Sequence, residues 1–212
     1  MNIYTGEENF KRIKDNIVFE LISFKNNASA LGSSIYEPVF DLAKVYIILT
    51  FDKGKLPAVT MIDEKMLSSW GITREELKRL ADINSERLMP RRIELLKGLF
   101  RRNADLDIYI CSNPMQYLGA GVMVYRSRPI QDFARKKKMN VLIIPSSIHE
   151  LLLVEAKDYI GIDRLKDVMQ EFNEKTNKHS EVLSSNIYRY MLKNKDIEMM
   201  ASYKTMFRDY YA

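Results

Sequence analysis

The strand-like segments of this sequence come in pairs, and each pair is separated by a few turn-forming residues. A run of Val, Ile, Leu and Tyr that stops at Asp, Asn, Gly, Pro or Ser and then resumes is typical of a β-hairpin. Three such pairs are residues 41–51 with 56–62, 140–144 with 148–154, and 186–192 with 197–200. Because helical patterns lie between the pairs, the sequence predicts an α+β fold in which helices pack on an antiparallel sheet built from hairpin-sized strand pairs.

Apolar residues at steps of three and four predict the helices. One helix begins at Thr73, since Thr73 and Glu76 have the spacing of a capping box, and it should end before Pro90. The other segments predicted to be helical are residues 9–24, 91–102, 162–176 and a segment that starts at Ser127–Pro129. Single strands are predicted at residues 107–112 and 121–125.

Composition restricts the setting of the chain. Its 212 residues contain no repeat and no Gly/Ser linker, which favours one domain over residues 1–200 and an aromatic C-terminal tail over residues 201–212. The single cysteine, Cys111, excludes an internal disulfide and a cysteine-rich zinc site. No apolar run approaches the roughly 20 residues that span a bilayer, and residues 1–10 lack a signal-peptide core. We therefore expect a cytoplasmic protein without a membrane partner.

The positive charge is concentrated in two segments. Residues 91–102 hold five basic residues against one acid, and residues 126–138 hold six against one, so the rest of this chain of net charge +5 is acidic. Such segments indicate phosphate binding or ordinary solvated surface, and lysines at a helix C-terminus also complement the helix dipole. The residues predicted to contact nucleic acid are Arg91, Arg92, Arg101, Arg102, Arg128, Arg135, Lys136, Lys137 and Lys138. Candidates for stacking on bases are Tyr109, Tyr117, Tyr125, Tyr188 and Tyr190, although most of them would equally well fill a face of the sheet.

Six stretches carry a resemblance to a known family. They are KRIKDNIVFEL at 11–21, DLAKVY at 41–46, WGITREELKRL at 70–80, RLMP at 87–90, LIIPSSIHELLLV at 142–154 and LSSNIYRY at 183–190. In this order they resemble an uncharacterised bacterial domain-of-unknown-function family of Gram-positive gut bacteria, and residues 62–90 also resemble a second such family. The resemblance implies a fold and a bacterial setting, and it carries no activity. Family members have an additional amino-terminal half, which we expect this chain to lack.

The Pro-Ser-Ser-Ile-His-Glu segment, residues 145–150, is the most enzyme-like motif. If residues 147–153 are extended, Ser147 and His149 share one face while Glu150 points away, so the three residues do not form a triad. Histidine side chains change charge near neutral pH, so His149 is the candidate general base, with Ser147 or Glu150 assisting. In the alternative interpretation, residues 145–147 form a turn and His149 and Glu150 satisfy buried backbone groups.

Other candidate sites are weaker. His179 lies in a polar segment, and two histidines without matching carboxylates predict no metal site. Cys111, inside a predicted strand, is expected to be a small buried apolar residue. Gly119–Gly121 lacks the third glycine and the strand–helix context of a dinucleotide loop, so no cofactor is expected.

Three functional hypotheses follow. The first is a non-enzymatic binding module whose basic face engages RNA, DNA or a nucleoprotein. The second is a hydrolase or nuclease that uses His149, for example an anti-CRISPR protein of a mobile element acting on a guide RNA. The third is a protein–protein adaptor, or a homodimer, that uses the tail of residues 201–212. Whether the chain is an enzyme is left open by the sequence.

Overall fold

The computed structural model describes residues 4–52, 55–158, 160–176 and 183–202. The chain divides into two compact units, residues 1–90 and 91–212. Each unit contains an antiparallel sheet and helices, which confirms the predicted α+β class. The single domain expected over residues 1–200 stays a prediction, and the tail from residue 203 lies outside the described residues. No helix of the described residues is long and apolar enough to cross a membrane.

The first unit is a four-stranded sheet with helices. In chain order its elements are α1 (Glu7–Ile13), a 3₁₀ helix (Lys14–Asn16), β1 (Ile17–Ser23), α2 (Ala28–Leu31), β2 (Tyr36–Val39), β3 (Leu42–Thr50), β4 (Ala58–Met61), α3 (Glu64–Trp70) and α4 (Arg74–Leu88). The long strand β3 pairs with β1, with β2 along its first half and with β4 along its second half. The predicted hairpin of β3 and β4 is confirmed.

The helix predicted at residues 9–24 was wrong. The helical part ends with α1 and the 3₁₀ helix at Asn16, and Ile17–Ser23 forms β1, whose residues 17–22 are all buried. A helix would present apolar side chains around much of its circumference there, whereas pairing with β3 satisfies the backbone and buries both faces of the strand. The apolar spacing of three and four was therefore a coincidence of a nearly continuous apolar run.

Helix α4 begins and ends where the sequence predicts. Thr73 accepts from the amide of Glu76 at 3.2 Å, and the Glu76 carboxylate accepts from the amide of Thr73 at 2.8 Å. The helix packs on β1 through polar contacts as well as apolar ones. Asn84 donates to the carbonyl of Ile17 at 2.9 Å, and the Ser85 hydroxyl accepts from the amide of Phe19 at 3.0 Å.

The second unit is a six-stranded antiparallel sheet. Its elements are β5 (Arg92–Leu95), β6 (Ile108–Ser112), a 3₁₀ helix (Gly119–Val124), α5 (Pro129–Lys137), β7 (Val141–Ile144), β8 (Leu151–Glu155), α6 (Ile162–Thr176), β9 (Asn186–Met191) and β10 (Asp196–Ser202). The strand order is β10-β9-β7-β8-β6-β5. The predicted pairs β7–β8 and β9–β10 are both confirmed.

The two helices of this unit cover opposite faces of the sheet. Leu165, Val168 and Phe172 of α6 pack on a cluster that includes Ile108 of β6 and Leu142 of β7. Tyr109, which points to the other face of β6, makes an edge contact with Phe133 of α5 at 4.9 Å. The sheet is thus the middle layer between α6 and α5.

Two predictions in this unit were wrong. Residues 91–102 do not form a basic helix, because Arg92–Leu95 pairs with β6 as an edge strand whose charged and apolar residues alternate. Residues 121–125 do not form a strand. The amides of Gly119 and Ala120 bond to the carbonyls of His149 and Ile148, which directs the chain into the buried 3₁₀ helix.

Glu20 generates a prediction about stability. Its side chain lies on β1 opposite Val45 and is 5% exposed, and burial raises its pKa from 4.5 to about 7. A raised pKa means that the folded chain keeps a proton that the unfolded chain releases, so stability falls as pH rises from about 4.5 to about 7. The Glu20→Gln variant should therefore be more stable than the parent at about pH 8, by up to about 3 kcal/mol at ~1.4 kcal/mol per pKa unit.

Urea unfolding at about pH 8 and about pH 4 measures this difference, which should vanish at the lower pH. Glu37→Gln is the matched control with the opposite sign. Burial raises the pKa of Glu37, but hydrogen bonds from Lys78 and Tyr46 lower it more, so that it lies below its usual value. This variant should lose stability at about pH 8. Equal stability of Glu20→Gln and the parent at both pH values would contradict the prediction.

Candidate functional site

Two loops of the second unit meet at the end of β6 and the start of β8. The carbonyl of His149 accepts from the Ser112 hydroxyl at 2.6 Å and from the amide of Gly119 at 3.0 Å. The carbonyl of Ile148 accepts from the amide of Ala120 at 3.1 Å. These three bonds fix the segment of residues 145–150 against the segment that follows β6.

Gly119 is the closest contact of this junction. A Cβ atom there would lie 2.3 Å from both the His149 carbonyl oxygen and the Ser112 hydroxyl oxygen. Atoms cannot approach to that distance, so only glycine lets the two loops pack together. The role of Gly119 in the structure is to allow the close approach of two backbone segments.

Ser147 and Glu150 are in direct contact. The Ser147 hydroxyl donates to Glu150 Oε1 at 2.6 Å and accepts from the amide of His149 at 3.0 Å. The Ser146 hydroxyl donates to the carbonyl of Glu150 at 3.1 Å. The extended geometry assumed for residues 147–153 was wrong, because strand β8 begins only at Leu151 and the preceding turn brings Glu150 back to Ser147.

His149 is held from two sides. Its Nδ1 accepts from the amide of Leu118 at 3.1 Å, and its ring stacks on Tyr117 with centroids 5.2 Å apart. An Nδ1 that accepts places the proton of a neutral imidazole on Nε2. The Nδ1 lone pair of His149 is therefore engaged by the Leu118 amide. Tyr117 itself is positioned by Asn113, which donates to its carbonyl at 2.7 Å.

A cavity of about 380 Å³ adjoins this junction on the α6 face of the sheet. Its polar lining consists of Arg92, Glu94, Ser112, Asn113, Gln116 and Glu150, and Leu99, Ile110 and Phe172 contribute apolar wall. Ser147 is 1% exposed, whereas Glu150 reaches the lining although it is only 2% exposed. Among the three predicted catalytic residues, Glu150 is thus the one that lines this space.

The predicted basic residues separate into groups. Asp132 of α5 lies 3.3 Å from Arg91 and 3.8 Å from Arg135, so one carboxylate joins the two basic segments of the sequence. Lys136 and Lys138 are exposed at the end of the same helix. We call Arg91, Arg135, Lys136 and Lys138 the α5 basic surface. Arg128 is exposed at the opposite end of α5.

Two other predicted residues form internal ion pairs. Lys137 lies 2.7 Å from Glu155 and hydrogen-bonds Tyr109, and these partners raise its pKa above its usual value. Arg92 pairs with Glu94 at 2.7 Å. Lys137 is a residue of the α5–sheet contact, and Arg92 belongs to the cavity on the other face.

Arg101 and Arg102 lie against α6. Their backbone amides donate to Glu171 at 2.5 and 3.1 Å, and Asn103 donates to the same carboxylate at 3.1 Å. Burial raises the pKa of the Glu171 carboxyl group, but these three hydrogen bonds outweigh burial and lower it. The exposed side chains of Arg101 and Arg102 therefore lie away from α5, and no local sequence signal indicated Glu171 as their anchor.

The remaining candidate residues are largely buried or outside the described part. Cys111 is buried, and burial raises its pKa to about 12, as expected for a structural thiol. Tyr125, Tyr188 and Tyr190 are buried and cannot stack on bases. His179 lies outside the described residues. Within the described ranges, no three His, Cys, Asp or Glu side chains are grouped to hold a metal ion.

Fold and site together define an α+β protein with a buried polar loop junction, a neighbouring cavity and a separate basic helix surface. The model of DUF5688, a family of unknown function, matches residues 4–191, and the chain belongs to this family. The resemblance seen in the sequence is thus confirmed as a family of unknown function. The Pro-Ser-Ser-Ile-His-Glu signature and the bacterial origin stay predictions. No curated protein and no solved structure matches the chain.

The close approach at Gly119 predicts a large effect of one methyl group. Gly119→Ala should destabilise the chain by about 2–4 kcal/mol, since the backbone of the junction must move to admit the Cβ atom. Thermal unfolding measures the loss. Gly161→Ala is the control, because a Cβ there meets nothing within 4 Å and φ is not in the left-handed region. Equal melting temperatures of the two variants would contradict this prediction, since they would show that the backbone at Gly119 can move to admit a Cβ atom at little cost.

Proposed function

We propose that this protein is a binding module that engages the phosphate backbone of nucleic acid through the α5 basic surface. The observation that carries the proposal is the position of Asp132 between Arg91 and Arg135. Two basic segments that are separate in the sequence thereby contribute to a single surface. Clustered lysine and arginine side chains bind nucleic acid by displacing its counterions.

The charge balance of this surface supports the proposal. Arg91 and Arg135 are about half exposed and share one carboxylate, and exposed ion pairs of this kind contribute little to stability. Lys136 and Lys138 make no ion pair with any residue that the structure describes. The surface therefore keeps excess positive charge that folding does not require. A nucleoprotein would offer the same phosphates, as would the guide RNA of a CRISPR system.

The test compares two triple variants that lose the same charge. Arg91→Ser/Arg135→Ser/Lys136→Ser removes the surface, and Lys25→Ser/Lys65→Ser/Arg79→Ser removes three exposed cations of the first unit. Fluorescence anisotropy with labelled single-stranded RNA, duplex RNA and duplex DNA at two salt concentrations measures affinity. The first variant should bind at least about tenfold more weakly, and its log–log salt slope should be smaller by about two.

The control variant should retain most of the affinity of the parent. The proposal would be contradicted if the parent chain bound none of the three nucleic acids. It would also be contradicted if both variants lost the same amount of affinity. An equal loss would indicate attraction by net charge alone and no particular surface.

A hydrolase or nuclease is the second candidate function. The contact between Ser147 and Glu150 at the wall of the 380 Å³ cavity favours it. Glu150 is the carboxylate next to the space where a substrate would enter, and Ser147 and His149 assist by holding its loop. A carboxylate placed in this way acts as a general base on water.

Gel analysis of RNA recovered from the binding assay tests this candidate. Glu150→Gln keeps the shape and the acceptor oxygen for Ser147 but removes the base, so it should abolish shortening of RNA without changing the melting temperature. Glu94→Gln, in the lining of the same cavity, is the control and should retain cleavage. If RNA remained intact after incubation with the parent chain, the proposed nuclease function would be contradicted. The adaptor function of residues 201–212 concerns a segment outside the described residues and stays a prediction.

A further inference from the structure

A second cavity of the second unit lies at the N-terminus of α5. Its volume is about 230 Å³, and its lining includes Arg128 and Gln131 at the start of α5, Tyr190 of β9, Lys195 in the turn before β10 and Asp196 at the start of β10. The cavity is separate from the junction around Glu150. Its volume is below the roughly 300–1,000 Å³ of pockets for drug-sized ligands, which suits a small ion or a small phosphorylated molecule.

The Tyr190 hydroxyl is the unusual group in this cavity. Tyr190 is 4% exposed, and its hydroxyl has no hydrogen-bond partner among the described residues. Nearly all buried polar groups in folded proteins have such a partner. Burial raises the pKa of Tyr190, the charges of Arg135 and Arg128 oppose the rise, and those of Asp196 and Asp132 add to it. The hydroxyl therefore keeps its proton and can donate to an acceptor in the cavity.

The first turn of α5 supplies further donors. Pro129 occupies the first helical position and has no N–H, so the first amides available are those of Ile130 and Gln131, which also line the cavity. Amides of a first turn have no acceptor within their own helix, and the helix dipole is positive at this end. A helix N-terminus of this kind is a common anion site when other groups support it.

Two cations complete the lining. Arg128 and Lys195 have φ of 50° and 57°, a region that glycine adopts at lower cost, yet both positions carry long basic side chains. The one acid of the lining, Asp196, accepts from the amide of Ile197 at 2.8 Å, which engages one of its oxygens. Positive charge and hydrogen-bond donors therefore predominate among the polar residues of the lining, and the rest of the wall is apolar, with Met123, Val124 and Ile197.

We propose that this cavity binds a phosphate group, as inorganic phosphate or as the phosphomonoester of a small molecule such as a nucleotide. Arg128 and Lys195 balance the charge of the anion, while the Tyr190 hydroxyl and the amides of Ile130 and Gln131 donate to its oxygens. A tetrahedral phosphate offers enough acceptor oxygens for donors that come from a helix end, a strand and a turn. The inference does not depend on the proposed nucleic-acid surface.

Isothermal titration calorimetry of the full chain tests the site with three probes: inorganic phosphate, uridine monophosphate and uridine. The nucleotide and inorganic phosphate should bind, and uridine should not. Tighter binding of the nucleotide than of inorganic phosphate would assign the site to phosphorylated small molecules, and equal affinities would assign it to the free ion. Binding of uridine as strong as that of the nucleotide would overturn the proposal, because the phosphate would then contribute nothing.

Tyr190→Phe is the decisive variant, since it removes one hydroxyl and keeps the ring. It should weaken binding of the nucleotide by about tenfold, which is the loss of affinity expected when one hydrogen bond to a charged group is removed. Its melting temperature should equal or exceed that of the parent, because the removed hydroxyl has no partner among the described residues. Tyr188→Phe is the matched control, two residues away on β9, and its hydroxyl lies 3.3 Å from the Ser184 hydroxyl. This control should lower the melting temperature and leave binding unchanged.

Lys195→Gln provides a second variant at an exposed turn, where no effect on folding is expected. It should also weaken binding by about tenfold. Full affinity in both Tyr190→Phe and Lys195→Gln would overturn the proposal, as would the absence of heat with phosphate and the nucleotide. A variant of the α5 basic surface that keeps Arg128 and Arg135, Arg91→Ser/Lys136→Ser/Lys138→Ser, retains both cations that act on the Tyr190 hydroxyl and should still bind the nucleotide. Failure of the RNA experiment and failure of this one are therefore distinguishable.

Discussion

Strands β7 and β8 of the second unit are apolar on both faces, and this constrains everything around them. Val141–Ile144 and Leu151–Val154 are buried at every position. A strand of this kind is stable only if each face of its sheet is covered by another layer. Helix α6 covers one face and α5 with its preceding 3₁₀ helix covers the other. The loop that joins β7 to β8 consequently lies at the end of the sheet, where residues 145–150 meet the segment after β6.

The same layering separates the charged groups of this unit. Arg92, Glu94 and Glu150 lie around the cavity on the α6 face, and the α5 basic surface lies on the opposite side of the sheet. Asp132 is an acid within the basic surface and reduces its attraction for phosphate. The sheet keeps Glu94 and Glu150 on the other side, where distance and screening weaken their effect on the surface. The loop junction and the basic surface are thus two independent parts of one unit.

Patterns that depend on neighbours in sequence were predicted well. The capping box of Thr73 and Glu76, helix α6 over residues 162–176, and the hairpins of β7 with β8 and of β9 with β10 all agree with the structure. The misassigned helices at residues 9–24 and 91–102 depend on partners that are distant in sequence. β1 is a strand because β3 is beside it, and β5 is a strand because β6 is. Short segments rich in both apolar and basic residues suit either structure until that partner is known.

The candidate sites show the same division between local and distant information. The residues of the 145–150 segment were identified from the sequence, but the contact of Ser147 with Glu150 required the turn geometry that the assumed strand excluded. Asp132 was counted only as one acid in a basic segment, although it joins that segment to Arg91. Tyr190 suits either stacking on bases or filling a sheet face, and the structure buries it in β9 beside a cavity. A charge or ring can be read from the sequence, whereas its exposure depends on packing.

Cys111 has a practical consequence for anyone working with this protein. It is the one cysteine of the chain, it lies in the buried strand β6, and its thiol stays protonated well above neutral pH. Maleimides and other reagents that attack the thiolate should therefore leave the folded parent chain unmodified. A cysteine introduced at any exposed position becomes the single reactive thiol without prior removal of a native one. Spin labels and fluorophores can be attached to either unit, and distances between the units can be measured in solution.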